Sequence, residues 1–181
     1  TLEIHKSLTE EEKEIELRRR VNLFRSLFRG REDVYAQRFV TKDGKRGYQP
    51  VCRNRWSIEC KAQKYKCEGC AHRDLVPLDD AIIRRHLHKG AKETDIIGLF
   101  PIMEDNTCFF LCADFDDKNC QHGYKDDVLS YVGVCNDWNI TVYIERSRSG
   151  NGAHLWIFFS EPVSAALARK LGFAILGSAM E

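Results

Sequence analysis

Two apolar runs with strand character, residues 109–113 and 155–159, constrain this chain more than any other feature, because each joins directly to polar chemistry. The first, Phe109-Phe110-Leu111-Cys112-Ala113, leads into Asp114-Phe115-Asp116. The second, Leu155-Trp156-Ile157-Phe158-Phe159, follows Glu145-Arg146-Ser147-Arg148-Ser149-Gly150-Asn151-Gly152-Ala153-His154. In an extended chain, residues two apart point to the same face, so Asp114 and Asp116 form a carboxylate pair at the end of a buried strand. Such a pair suits Mg²⁺ or Mn²⁺, which prefer oxygen ligands. Glycines let backbone N–H groups approach phosphate, and the loop carries Arg146, Arg148 and His154 around them. Together the two runs point to metal-assisted chemistry on a nucleoside triphosphate.

The rest of the chain arranges itself around these runs. Residues 9–28 predict an amphipathic helix. Thr9 and Glu12 make a capping-box pattern, and Leu17, Val21, Phe24 and Phe28 recur at helical spacing. Residues 34–40 and 47–51 predict two strands around the turn at Asp43-Gly44. Residues 78–87 predict a helix, and residues 96–100 a strand. From Cys108 the expected order is strand (108–113), helix (124–138), strand (141–144), strand (154–159) and helix (162–180), with Pro162 in the last helix's first turn. That β-α-β-β-α order lacks the final strand of β-α-β-β-α-β, which is expected after Glu181. The chain reads as a fragment of a longer protein, with further domains. The expected fold class is α+β, divided into an N-terminal helix and hairpin (1–51), a metal-binding module (52–76) and a catalytic core (77–181).

At 181 residues a core of real size can be buried. No signal peptide and no membrane-length apolar run is present, so a cytoplasmic protein without a membrane partner is expected. In that setting eight cysteines imply metal ligands rather than a disulfide framework. Cys52, Cys60, Cys67 and Cys70 fall within nineteen residues. Four thiolates suit a closed tetrahedral Zn²⁺ site, with His72 as the substitute for Cys52; four reduced, partly buried thiols, or a redox Cys67–Cys70 pair, are the alternatives. Cys108, Cys112 and Cys135 read as core packing, and Cys120 with His122 and Asp117 as a lesser metal candidate.

The net charge of +1 conceals opposed blocks. Residues 38–66 carry +7 and residues 104–137 carry −6. In the basic block Arg53, Arg55, Lys61 and Lys64 interleave with Trp56 and Tyr65. Cations among aromatics suit a nucleic-acid strand through phosphate contacts and base stacking. A solvated basic surface is the alternative.

Several stretches together resemble the archaeo-eukaryotic primase superfamily. They are Gly30-Arg31-Glu32-Asp33-Val34-Tyr35-Ala36, Arg55-Trp56 with the Cys quartet, Pro77-Leu78-Asp79-Asp80 with His86-Leu87, Ala113-Asp114-Phe115-Asp116, and the segment from Glu145 to His154. The resemblance is closer to primase-polymerase domains of transposon-like prokaryotic conflict systems and of CRISPR-associated proteins. It implies a derived RNA-recognition-motif-like (RRM-like) catalytic core with a zinc-binding insertion. The implied activity is template-directed nucleotidyl transfer from an NTP or dNTP to a DNA or RNA template and primer, using two divalent metals. On this resemblance Asp114 and Asp116 bind Mg²⁺ or Mn²⁺. Ser149 and His154 contact the nucleotide's phosphates, helped by Arg148, Gly150, Asn151 and Gly152. A third acid belongs on a later strand and is assigned to neither Glu161 nor Glu181. Two other functions fit the residues: a catalytically silent zinc-containing nucleic-acid-binding domain, and a metal-dependent nuclease.

Overall fold

The computed structural model of the chain describes residues 9–62, 64–88, 90–116 and 123–181. Its elements are α1 (Glu10–Leu27), β1 (Ala36–Val40), β2 (Arg46–Pro50), α2 (Ile58–Ala62), α3 (Asp80–Leu87), β3 (Ile97–Gly98), β4 (Thr107–Asp116), α4 (Tyr124–Asp137), β5 (Tyr143–Arg146), β6 (Gly152–Ser164) and α5 (Ala165–Ala179). Among the described residues, two antiparallel three-stranded sheets and five α-helices make an α+β fold. The described residues form two compact units, 9–26 with 31–100, and 27–30 with 101–181.

In the first unit, α1 starts as the capping box predicts. The Thr9 N–H donates to Glu12 Oε2 at 2.7 Å, and the Glu12 N–H donates to Thr9 Oγ1 at 3.2 Å. Asp79 caps α3 by accepting the Ile82 N–H at 2.8 Å. Val21 of α1, Tyr35, Ile97, and Leu78, Ile82 and Ile83 at and within α3 are buried as one core. Strands β2, β1 and β3 form the sheet, with β1 and β2 joined through the turn at Asp43 and Gly44, where Gly44 takes φ +82°.

The second unit carries the order β4-α4-β5-β6-α5, and its sheet runs β4-β6-β5. Strand alternation decides its two faces. Leu111, Ala113 and Phe115 of β4 and Ala153, Leu155 and Ile157 of β6 pack with Val128, Tyr131 and Cys135 of α4 and Ile175 of α5. Both helices therefore cover one face. At Gly172 an added Cβ would lie 3.2 Å from Leu111, which marks how closely α5 approaches β4. The opposite face carries Cys112, Asp114 and Asp116 from β4, Tyr143 and Glu145 from β5, and His154 and Trp156 from β6.

Most element boundaries shift by a residue or more from expectation, β3 shrinking to Ile97–Gly98 and β4 extending over Thr107–Asp116. Strand β5 is Tyr143–Arg146 rather than 141–144. Strand β6 runs on to Ser164, so Pro162 lies in a strand and α5 begins at Ala165. The β4–β6 register shifts between Cys108 and Phe110: Phe110 pairs with Phe158 and Cys108 with Val163. Pro162 falls in the β6 stretch looped out by that shift, where no ladder N–H is required. The short helix α2 within the Cys-rich segment was not expected at all.

Candidate active site

Sheet register, rather than sequence proximity, assembles the site. Asp114 on β4 pairs with His154 on β6, and His154 pairs on its other side with Glu145 on β5. The three side chains therefore form one row across the face opposite α4 and α5. His154 Nε2 lies 3.6 Å from Asp114 Oδ1, and His154 Nδ1 lies 3.2 Å from Glu145 Oε2. The same Glu145 oxygen accepts the Trp156 indole N–H at 2.8 Å. One register step toward the loop, Asp116 pairs with Gly152. The two aspartates thus share a face with a histidine between them and a third carboxylate.

Gly152 is tightly constrained by this ladder. A Cβ there would come within 2.4 Å of the Phe115 carbonyl oxygen and 3.0 Å of Asp116 Oδ1. Only glycine admits the two strands at this spacing beside the aspartate. Gly150 is needed for a different reason, a φ of +80° at the tip of the β5–β6 loop.

Much of the loop's hydrogen bonding is internal. The Ser147 N–H donates to the Gly152 carbonyl at 2.9 Å, and the Gly150 N–H to the Ser147 carbonyl at 2.9 Å. The Asn151 N–H donates to Ser149 Oγ at 3.3 Å, and Ser147 Oγ and Ser149 Oγ lie 3.1 Å apart. Arg146 turns its guanidinium back onto the Gly150 carbonyl at 3.3 Å. The hairpin is self-supporting, with Arg148 and Ser149 exposed on it.

Beneath the carboxylates, the face is aromatic. Trp156 and Phe158 lie nearly parallel, 7° apart with centroids at 6.3 Å. Phe28 stands edge-on to Phe110, Trp156 and Phe158 at 5.9, 5.0 and 5.5 Å. These contacts fix the indole that holds Glu145. Cys112 sits in the same face. Its outer side meets solvent, yet burial of the thiol, with the Asp114 and Glu145 carboxylates, pushes it up to about 12. A shift in that direction favours the neutral thiol at ordinary pH.

In the first unit, Cys52, Cys60, Cys67 and Cys70 line one small cavity together with His72, Arg55 and Lys66. The Cys67–Cys70 turn closes through the Cys70 N–H to the Cys67 carbonyl at 3.3 Å, with Gly69 at φ +68°. Cys52 Sγ accepts the Asp74 N–H at 3.3 Å. Four soft donors on one cavity, one already receiving a backbone N–H, fit Zn²⁺ in kind. Among the described residues, no group of three or more His, Cys, Asp or Glu stands close enough to hold a metal ion. The fit at both places is therefore one of donor chemistry and common placement. Asp117, Cys120 and His122 lie outside the described residues.

Beside the Cys cavity, Arg55 lies over Trp56 at 5.0 Å and Tyr65 at 5.7 Å, and the two rings meet edge-to-face at 5.2 Å. Trp56, Lys64 and Tyr65 all take positive φ. Lys61 and Lys64 are exposed, whereas Arg53 is paired with Asp74 at 2.7 Å.

Glu145 and Trp156 are the site residues that sequence reasoning left without a role. A β5 ending at Ile144 hides the pairing. Once the loop is taken as residues 147–151, counting back along the hairpin sets Glu145 opposite His154.

The β-α-β-β-α unit of this α+β domain carries two aspartates on the face opposite its two helices. Over residues 19–181 the chain belongs to the archaeo-eukaryotic primase domain family of TOTE conflict systems. No curated protein matches it. Among the described residues, no helix is long and apolar enough to cross a membrane.

Proposed function

We propose that the chain is a template-directed nucleotidyltransferase, a primase-polymerase domain whose catalytic centre is the open face around Asp114, Asp116 and His154. The observation that carries this is the row Asp114–His154–Glu145, one step from Asp116, in a chain of the archaeo-eukaryotic primase family. The β4-α4-β5-β6-α5 unit is read as an RRM-like core, with both helices behind the sheet and the site in front.

Asp114 and Asp116 are the residues that would hold Mg²⁺ or Mn²⁺, hard cations suited to carboxylate oxygens. The bound cation would offset negative charge on the transferred phosphoryl group. His154 directs its Nε2 to the same side as Asp114, where it can contact a phosphate oxygen. Ser149 and Arg148, exposed on the hairpin above, supply a hydroxyl and a cation toward the triphosphate. Gly152 leaves the strand edge beside Asp116 uncrowded. The chain's own contribution is positioning and charge neutralisation, since the triphosphate brings its own leaving group.

The Cys quartet is read as a structural Zn²⁺ site that orders the basic segment. Arg55, Trp56 and Tyr65, with Lys61 and Lys64, then offer cations and stacking surface to a template strand or end. The intact protein, incubated with a primed template, NTPs or dNTPs and Mg²⁺ or Mn²⁺, tests the whole reading. Strand extension supports it. A mobility shift without chemistry indicates a binding module instead, and strand degradation a nuclease.

A further inference from the structure

From the hydrogen bonds around His154 we infer that Glu145 is its positioning residue, fixing which ring nitrogen carries the proton and where the other one points. The inference rests on the primase-polymerase reading only for its catalytic consequence. The geometric part stands on its own.

A histidine between two carboxylates could turn either nitrogen to either partner. Here the two sides are not equivalent. Glu145 Oε2 is 3.2 Å from Nδ1, within hydrogen-bond range, while Asp114 Oδ1 is 3.6 Å from Nε2 and beyond it. Glu145 is itself anchored, because its Oε2 takes the Trp156 N–H at 2.8 Å. Trp156 in turn is held by Phe28, Phe110 and Phe158. A carboxylate can only accept, so the Nδ1 position must carry its hydrogen to satisfy the contact. Nε2 is then the nitrogen left facing Asp114 and whatever binds beside it. A carboxylate that sets the tautomer of a working histidine in this way acts without touching the substrate. The aromatic cluster below the site thereby gains a purpose beyond packing: it holds the indole that holds the glutamate.

The test uses the protein with ¹⁵N-labelled histidine for nuclear magnetic resonance, and the unlabelled protein for activity. H154N identifies the His154 signals by difference. In the wild type, His154 should show a protonated, exchange-protected Nδ1. E145L, on an exposed strand, should fold, as thermal unfolding will verify, and should lose that signature for the Nε2–H form favoured by a free imidazole. W156F, which keeps an aromatic ring in the cluster, smaller than the indole, and removes the N–H, should shift the signals in the same direction by a smaller amount. In primer extension, E145L should lower kcat by at least about tenfold while leaving the KM for nucleotide within about threefold. An unchanged His154 pattern in E145L overturns the inference even if the wild type extends primers well. A wild type without extension overturns the primase-polymerase reading, while the ¹⁵N pattern still decides the role of Glu145.

Discussion

At Gly152 the lack of a side chain is a steric demand of the ladder, while at Gly150 it is a demand of backbone conformation. The two substitutions therefore separate in size. Gly152→Ala pushes a methyl against the Phe115 carbonyl and the Asp116 carboxylate. It should cost about 1–3 kcal/mol, as overpacking does, and lower Tm by several degrees. Gly150→Ala meets only the flexible Arg146 guanidinium at 3.0 Å and pays mainly for its left-handed φ, about 1 kcal/mol. Thermal unfolding of both variants checks the order, and a Gly152→Ala protein as stable as wild type would show the strands free to separate there. Cys112 gives a second residue-level expectation. Burial and the Asp114 and Glu145 carboxylates push its thiol up to about 12, so thiolate is scarce at pH 8. Iodoacetamide at that pH should label it far more slowly than a small-molecule thiol, and Glu145→Leu should speed the labelling by removing one of the two charges. Equal labelling rates would mean that the surrounding charge is not felt at the sulfur.

Helix α3 carries His86, whose ring packs edge-on to Phe24 at 5.8 Å and whose value burial lowers below 6.5, against a smaller opposing pull from the Asp95 backbone. A histidine that resists protonation when folded stabilises fully above the unfolded value, and that contribution shrinks as pH falls through 6.5 toward the folded one. Denaturant midpoints of wild type should accordingly drop between pH 7.5 and 5. His86→Phe, which keeps the ring against Phe24, should flatten that drop, and an identical slope in the variant would exonerate His86. The Cys-rich segment between β2 and α3 is the other element with a sharp expectation. Purified protein should contain about one equivalent of zinc, and stripping it with a chelator should lower the thermal stability of the first unit. Protein that lacks zinc and is indifferent to the chelator would leave four reduced thiols around a cavity. At this scale the sequence was legible wherever local rules dominate. The Thr9–Glu12 cap, the Asp43-Gly44 turn, and the 3.6-residue periods of α1 and α4 all appear where the pattern puts them. Boundaries failed where tertiary pairing overrides local preference. Pro162 reads as a helix start, yet the β4–β6 ladder resumes at Val163 and Ser164 and defers α5 to Ala165.

Over the second unit, placement on one face is what turns scattered polar residues into a candidate site. The Asp114–Asp116 pair and His154 were readable from spacing and from the strands beside them. Glu145 and Trp156 were not, because their role depends on which residues meet across the β5–β6 hairpin, and a two-residue error in the end of β5 moves Glu145 off its partner. The division into two compact units was equally hidden. Residues 52–76 differ in composition from their flanks, but residues 31–100 share one set of contacts, through bonds such as Val76 N–H to the Val51 carbonyl at 3.0 Å. The proposed function has the β4-β6-β5 sheet perform nucleotidyl transfer through Asp114 and Asp116. It is tested most directly by primer extension with the intact protein and with Asp114→Ala and Asp116→Ala, at saturating nucleotide in Mg²⁺ or Mn²⁺. Both side chains are exposed, so both variants should keep wild-type Tm to within a few degrees. Extension by the wild type and its loss in both folded variants is the predicted result; extension near the wild-type rate in either folded variant contradicts it.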